Sequence, residues 1–175
     1  ATASVGAVIG VATVIPFIAS LAPSERAKSA GAPVDVDLST IAAGTMSTVA
    51  WRGKPVWILH RTPQMITSLE TDIDILADPF SAHSEQPPDA ANRLRSVRSE
   101  WAVLIGICTH LGCVPNFRTN LHADSAPNRV GEFYCPCHGS KFDFAGRVFK
   151  NVPAPTNLVV PEHRYVTTSL LRIGG

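Results

Sequence analysis

Cys108-Thr109-His110-Leu111-Gly112-Cys113 and Cys135-Pro136-Cys137-His138-Gly139-Ser140 decide how this chain is read. Each stretch holds two cysteines, a histidine two or three residues after the first of them, and a glycine within two residues of that histidine. Thiolates and imidazoles are soft and borderline donors, and two tight loops that carry them can surround a metal centre from two sides. All four cysteines fall in these loops, together with two of the six histidines. A lone histidine is more often an ordinary polar residue than a ligand, which is the reading for His60, His83, His122 and His163.

Four cysteines allow a tetrathiolate site, two disulfides or a mixture. A plant-type ferredoxin needs C-x4-C-x2-C, and no C-x2-C follows Cys113. Cys135 and Cys137 have one residue between them, a poor grip for a single zinc ion, so a tetrathiolate site is disfavoured. Cys108-x-His110 combined with Cys135-x-x-His138 supplies two thiolates and two imidazoles. A single zinc ion takes that set, and so does a [2Fe–2S] cluster with cysteines on one iron and histidines on the other. Cys113 and Cys137 are then left over, one in each loop. Their placement suggests a disulfide joining the loops, the alternative being two free buried thiols. A disulfide would put this part of the chain outside a reducing cytosol.

Outward from the loops, the 175 residues carry a net charge of +1 with both signs interspersed. No basic face offers itself to nucleic acid, so no nucleic-acid partner is expected. Few aromatics, 14 prolines and weak helical periodicity indicate one β-rich globular domain. Residues 1–24 contain no charged side chain. As a helix they would reach about 36 Å, more than the ~30 Å hydrocarbon core of a bilayer. Residues 1–22 are therefore read as a transmembrane anchor, bent at Pro16 and slim at Gly6 and Gly10. Residues 23–33, bracketed by prolines, have the composition of a tether.

Residues 34–175 are read as the globular head. Strands are expected at 34–38, 45–51 and 54–61, the last two joined by a tight turn at Arg52-Gly53. A short helix at 62–69 would start at Pro63, capped by Thr62. The polar stretch 71–100 is read as an insertion on the sheet surface, with a helix running from Pro87-Pro88-Asp89 to Val97 and carrying Arg93 and Arg95. Residues 101–107, without a polar side chain after Trp101, form a strand buried on both faces that runs into Cys108. A last strand spans 165–173.

At the two loops the chain resembles the Rieske iron–sulfur proteins, in the form found in the cytochrome bc complex. The extra cysteine in each loop separates this form from Rieske ferredoxins and ring-hydroxylating dioxygenases. The anchor, the Pro23-Ser24-Glu25-Arg26-Ala27-Lys28 tether, Ala145-Gly146-Arg147 and Pro153-Ala154-Pro155 also look like the bacterial form.

The resemblance implies a mainly β fold: an antiparallel β-sandwich head behind a transmembrane helix, with an inserted cluster-binding subdomain at about 104–156. It assigns Cys108 and Cys135 to the inner iron of a [2Fe–2S] cluster, His110 and His138 to the outer iron, and Cys113–Cys137 to a structural disulfide. It places Ser140 as a hydrogen-bond donor to a bridging sulfide and Leu111 at the exposed tip. Gly112 and Gly139 would shape the loops, and the loop beginning at Pro153 would cover the cluster's third side.

Replacing two thiolates by neutral imidazoles raises the potential of such a cluster, and the family's ligand histidines become more basic on reduction. The implied activity is catalytic within a membrane complex: oxidation of quinol, ubiquinol by expectation, at a cytochrome b subunit. His138 would meet the quinol hydroxyl. The electron would pass to a membrane-bound c-type cytochrome as the head swings on its tether, on the periplasmic side of a bacterial inner membrane. An alternative keeps the cluster but serves a periplasmic oxidase such as arsenite oxidase. Two departures stand out. Gly139-Ser140-Lys141-Phe142 replaces the Gly-Ser-His-Tyr of high-potential members, whose tyrosine hydroxyl donates to a cysteine ligand. Val152 replaces the glycine often found before Pro-Ala-Pro.

Overall fold

A computed structural model describes residues 14–22, 24, 31–71, 73–119 and 130–175. The chain divides into two units, Ala1–Ala32 and Pro33–Gly175. In the described part of the first unit, residues 14–20 are helical. Val14, Ile15, Phe17, Ile18 and Leu21 are all more than half exposed. Among the described residues no helix is long and apolar enough to cross a membrane. Residues 1–13 of the expected anchor, and Pro23 and residues 25–30 of the expected tether, lie outside the described residues.

The second unit holds three antiparallel sheets of three strands each among its described residues. The strands are β1 (Val34–Asp37), β2 (Met46–Trp51), β3 (Lys54–His60), β4 (Trp101–Ile105), β5 (Asn116–Arg118), β6 (Glu132–Tyr134), β7 (Lys141–Phe142), β8 (His163–Tyr165) and β9 (Leu170–Ile173). They pair in the orders β1-β9-β8, β2-β3-β4 and β5-β6-β7. One helix, α1 (Pro63–Thr71), follows β3.

The middle sheet decides the layering. Successive side chains on a strand point to opposite faces. Val56, Ile58, Trp101 and Val103 join Val36, Leu171 and Ile173 in one core. Trp57, Leu59, Ala102 and Leu104 face the other way, into a second core with Phe133, Phe142, Phe144, Cys108 and Cys135. β4 is buried along its whole length because it serves both cores at once. The β2–β3 turn is the expected two-residue hairpin, with left-handed backbone at Arg52 (φ 50°) and Gly53 (φ 70°). Thr62 caps α1 as expected, its Oγ1 accepting from the Met65 N–H at 3.2 Å.

Three expectations are corrected. The stretch 165–173 is a hairpin of β8 and β9 rather than one strand. The Thr167 hydroxyl accepts from the Ser169 and Leu170 amides, a side-chain turn with no Gly, Pro or Asn to signal it. The helix expected from 87 to 97 is a single 3-10 turn, Pro88–Ala90. Asn92 Oδ1 draws in the Leu94 and Ser96 amides, and Arg95 adopts φ 49°, so the side chain outbids the helix ladder. The short strands β5, β6 and β7 were not anticipated, because two or three residues carry too little periodicity to read.

The third correction concerns the 71–100 stretch, which is a structural tie rather than a surface insertion. Arg95 is fully buried and donates to the carbonyls of Glu85, Ala145 and Gly146. Arg147, also fully buried, pairs its Nε with Asp143 Oδ2 at 2.7 Å and donates through Nη2 to the Leu69 carbonyl on α1. Arg61 reaches the Leu94 and Trp101 carbonyls and the Ser96 hydroxyl. Burial lowers the pKa of both Arg61 and Arg95 to about 10, against the pull of Asp143. Asn157 completes the tie, donating to the Asp78 carbonyl and the Ser81 hydroxyl while accepting from the Val148 amide.

Removing one partner of a buried ion pair leaves the other charge uncompensated. Arg147→Ala is therefore expected to cost about 3–5 kcal/mol, measured by denaturant unfolding. A second effect follows from His163, buried on β8 with Nδ1 2.8 Å from the Pro161 carbonyl. Burial lowers its pKa, while Pro161, Asp89 and Glu162 oppose the shift. The unfolded chain then binds the proton more readily than the folded one, so stability is lost as pH falls below the ordinary value of about 6.5. Melting temperature should drop between about pH 7 and pH 5 in the parent chain, with a measurably shallower slope in His163→Gln.

Candidate metal centre

β4 ends where Gly106 lies flat against the Trp57 indole, so close that a Cβ there would collide with the ring. The chain then turns twice in the same way. In the first loop the Cys108 amide donates to the Cys113 carbonyl at 2.7 Å and the Gly112 amide to the Cys108 carbonyl at 3.0 Å. In the second, Cys135 donates to Ser140 at 2.8 Å and Gly139 to Cys135 at 3.0 Å. The shared frame is a cysteine with its glycine four residues on. Gly112 and Gly139 sit at φ 83° and 78°, yet a Cβ would have room at both. Backbone conformation, not space, requires glycine there.

The frame sorts the four cysteines by depth. Cys108 and Cys135, which open the loops, are free and buried, each 2 % exposed. Cys113 and Cys137 form a disulfide that joins the loops, as expected, across a sequence separation of 24. The two imidazoles stand on the outer side of the loops. His138 is exposed and His110 half-buried, their rings edge to face with centroids 4.8 Å apart. Leu111 and Val114 are 70 % and 52 % exposed beside them, so the tip is apolar.

A third loop closes the inner side. The Ala154 amide donates to Ser140 Oγ at 3.0 Å, and Thr109 Oγ1 donates to the Thr156 carbonyl at 2.7 Å. The stretch that begins at Pro153 is thus tied to both cysteine loops. Burial pushes the Cys108 thiol up. The His110 amide and Ser140 hydroxyl pull it down, and the neighbouring Cys135 sulfur adds to the rise. Two protein donors therefore already point at a sulfur. Phe142 is fully buried and offers no hydroxyl.

Donor chemistry decides what fits. The sulfurs of Cys113, Cys135 and Cys137 lie within 4.8 Å of one another, a spacing that would suit one ion. Two of them are spent in the disulfide, so that trio cannot supply three thiolates. What remains is two buried thiols behind two outward imidazoles. That set fits a cluster with thiolates inside and imidazoles outside. Sequence reasoning placed Ser140, Leu111, Gly112, Gly139 and Pro153 at this centre; in the structure Gly112, Gly139 and Ser140 take part in the backbone bonds of the two loops, Leu111 lies exposed in the first loop, and Pro153 precedes the Ala154 amide that bonds Ser140. It missed Thr109 and Val114. A hydroxyl between Cys108 and His110 was the available signal for the first; nothing in sequence marks the second.

Two buried free cysteines and two outward imidazoles on one small surface are a donor set that an iron–sulfur cluster of mixed cysteine and histidine ligation would take. Residues 34–164 match the model of the Rieske [2Fe-2S] domain, and the chain belongs to that family. Its cofactor is the family's [2Fe–2S] cluster. Over its whole length the chain is similar to proteins named ubiquinol-cytochrome c reductase iron-sulfur subunit. The Allochromatium vinosum protein is 50% identical over 99% of this chain and 84% of its own length. The Blastochloris viridis protein is 42% identical over 99% and 88%. A solved chain of a hyperthermophilic respiratory Complex III matches with TM-score 0.51 and 25% identity, covering 97% of this chain and 96% of its own.

The disulfide closes the site by restricting the unfolded chain. Its removal in Cys113→Ala with Cys137→Ala is expected to cost about 3–4 kcal/mol. Denaturant unfolding monitored by the cluster's visible circular dichroism should show the midpoint move down accordingly.

Proposed function

We propose that this chain is the iron–sulfur subunit of a bacterial quinol–cytochrome c reductase. One observation carries the reading: relatives at 50% and 42% identity align over 99% of this chain and 84% and 88% of their own lengths, across both the cysteine loops and the N-terminal segment. The periplasmic-oxidase alternative is not favoured, since these full-length relatives are named for the reductase.

On this reading Cys108 and Cys135 hold the inner iron and His110 and His138 the outer one. When bound, the cluster supplies one-electron chemistry at the exposed edge of the head. The protein's own residues set the terms of access. Leu111 and Val114 offer an apolar surface that excludes water when the tip docks against a partner. His138, the more exposed of the two imidazoles, is the one that accepts the quinol hydroxyl's proton. Ser140 and the Ala154 amide keep the inner side shut and fix the loop that begins at Pro153.

The proposed partners are a cytochrome b subunit with its quinol site and a membrane-bound c-type cytochrome. Residues 1–22 anchor the chain in the inner membrane, residues 23–33 tether the head, and residues 34–175 form that head on the periplasmic side. The helical part of residues 14–20 supports the anchor: Val14, Ile15, Phe17 and Ile18 are exposed apolar side chains, which water would disfavour, and the hydroxyl of Ser20 is turned back to the Phe17 carbonyl. The cluster-binding subdomain, at about 104–156, carries both cysteine loops and most of the third.

The deciding experiment is the low-temperature electron paramagnetic resonance spectrum of the reduced protein in its membranes, with and without a quinol-site inhibitor. A Rieske signal whose line shape shifts with the inhibitor is the expected result; a signal indifferent to it would remove the quinol partner. Phe142 adds a second outcome. Phe142→Tyr introduces a hydroxyl into the core that holds Cys108 and Cys135, and donors to sulfur raise the potential. A redox titration should show the variant's midpoint above that of the parent.

A further inference from the structure

We propose that loss of the cluster turns Cys135 into a nucleophile that rearranges the disulfide. The proposal rests on Cys135 being an iron ligand, as read above. Three of the four sulfurs at this site, those of Cys113, Cys135 and Cys137, lie within 4.8 Å of one another. Two of them form the disulfide, and the third is a free cysteine. That is the composition of a thiol–disulfide exchange reaction held inside one fold. While iron occupies the Cys135 sulfur its lone pairs are engaged. Once iron departs, nothing but the exchange barrier separates two disulfide isomers.

The geometry also selects the product. Cys135 and Cys137 are separated only by Pro136, a ring too short to close without strain. Attack therefore falls on Cys113. The Cys135 thiol gives its proton to solvent, and its sulfur forms a bond to the Cys113 sulfur. The Cys113–Cys137 bond breaks, and its electron pair leaves on Cys137, which takes up a proton. One S–S bond forms and one breaks, two thiols remain, and no oxidant is consumed.

Burial favours this direction. Cys135 is 2 % exposed, whereas Cys137 is exposed and Cys113 half-buried. The leaving thiolate is thus the one that water can solvate. The new bond lies deeper than the old one and is harder for an external thiol to reach. The rearranged chain has lost a ligand to the disulfide, so cluster loss is recorded in covalent form and the site refills only after the reverse exchange, by Cys137 on Cys113, or after reduction.

The test uses the purified full-length chain. Iron content and the Rieske resonance of the starting material check the ligand reading by themselves, so their failure would be recognised before the exchange is examined. The cluster is then stripped under strictly anaerobic conditions with a chelator. Free thiols are alkylated, and disulfides are mapped by non-reducing mass spectrometry with fragmentation between Cys135 and Cys137. The expected result is loss of the Cys113–Cys137 link, a Cys113–Cys135 link in its place, and alkyl groups on Cys108 and Cys137. Retention of the Cys113–Cys137 link with labels on Cys108 and Cys135 would overturn the proposal. So would a Cys108–Cys135 bond with no thiol left to label, or a Cys135–Cys137 bond. In Cys135→Ser the original link must persist under the same treatment, and movement of the disulfide there would equally sink the assignment of the nucleophile.

Discussion

Two thiols must face inward and two imidazoles outward from the same small surface, and the rest of the head is arranged to keep them so. A cysteine and a histidine two or three residues apart can point to opposite sides only if the chain reverses tightly between them. Both loops achieve this with the same pair of backbone hydrogen bonds and a left-handed glycine four residues after the first cysteine. Neither loop has a core of its own. The first is held at its start by the continuation of β4 and at its end by the Cys113–Cys137 disulfide; the second runs from β6 to β7 and is tied to the first at Cys137, with the Ala154 and Thr156 backbone bonded to both.

Rigid loops need a rigid floor, and here much of the floor is polar. Arg61, Arg95 and Arg147 are all at most 1 % exposed. Guanidinium groups suit this work because their planar fork reaches several backbone carbonyls at once without losing charge. The carbonyls they meet belong to segments far apart in sequence: Leu69 on α1, Glu85 and Leu94 in the long connection, Ala145 and Gly146 beyond β7. Asp143 supplies the balancing carboxylate, turned into place by the Ala145 and Arg147 amides. The 71–100 stretch therefore belongs to the cluster's support, with Arg95 reaching the Ala145 and Gly146 carbonyls beyond the second loop.

The disulfide has a double character. It restrains the two loops, yet it sits among sulfurs close enough to compete with it. If the exchange proposed above operates, occupation by iron and preservation of the disulfide become one condition.

The chemistry of the centre was legible along the chain because it depends on residue types at short spacing. Two cysteines, a histidine and a glycine recur in both loops, and donor softness narrows the possible centres to a few. Alternating and uninterrupted apolar runs likewise marked β2, β3 and β4. The zinc alternative and the free-thiol alternative stayed open, because spacing cannot say which sulfur lies inside. That was decided by depth: the second core takes up Cys108 and Cys135 and leaves Cys137 at the surface. The tie formed by Arg95, Asp143 and Arg147 was equally invisible. Its partners are backbone carbonyls, which every residue carries, so no side-chain pattern announces them. By itself the sequence determined the ligands on offer and the turns that present them. Only the tertiary structure decided which face of each loop is buried, since burial is a property of neighbours brought together from distant parts of the chain.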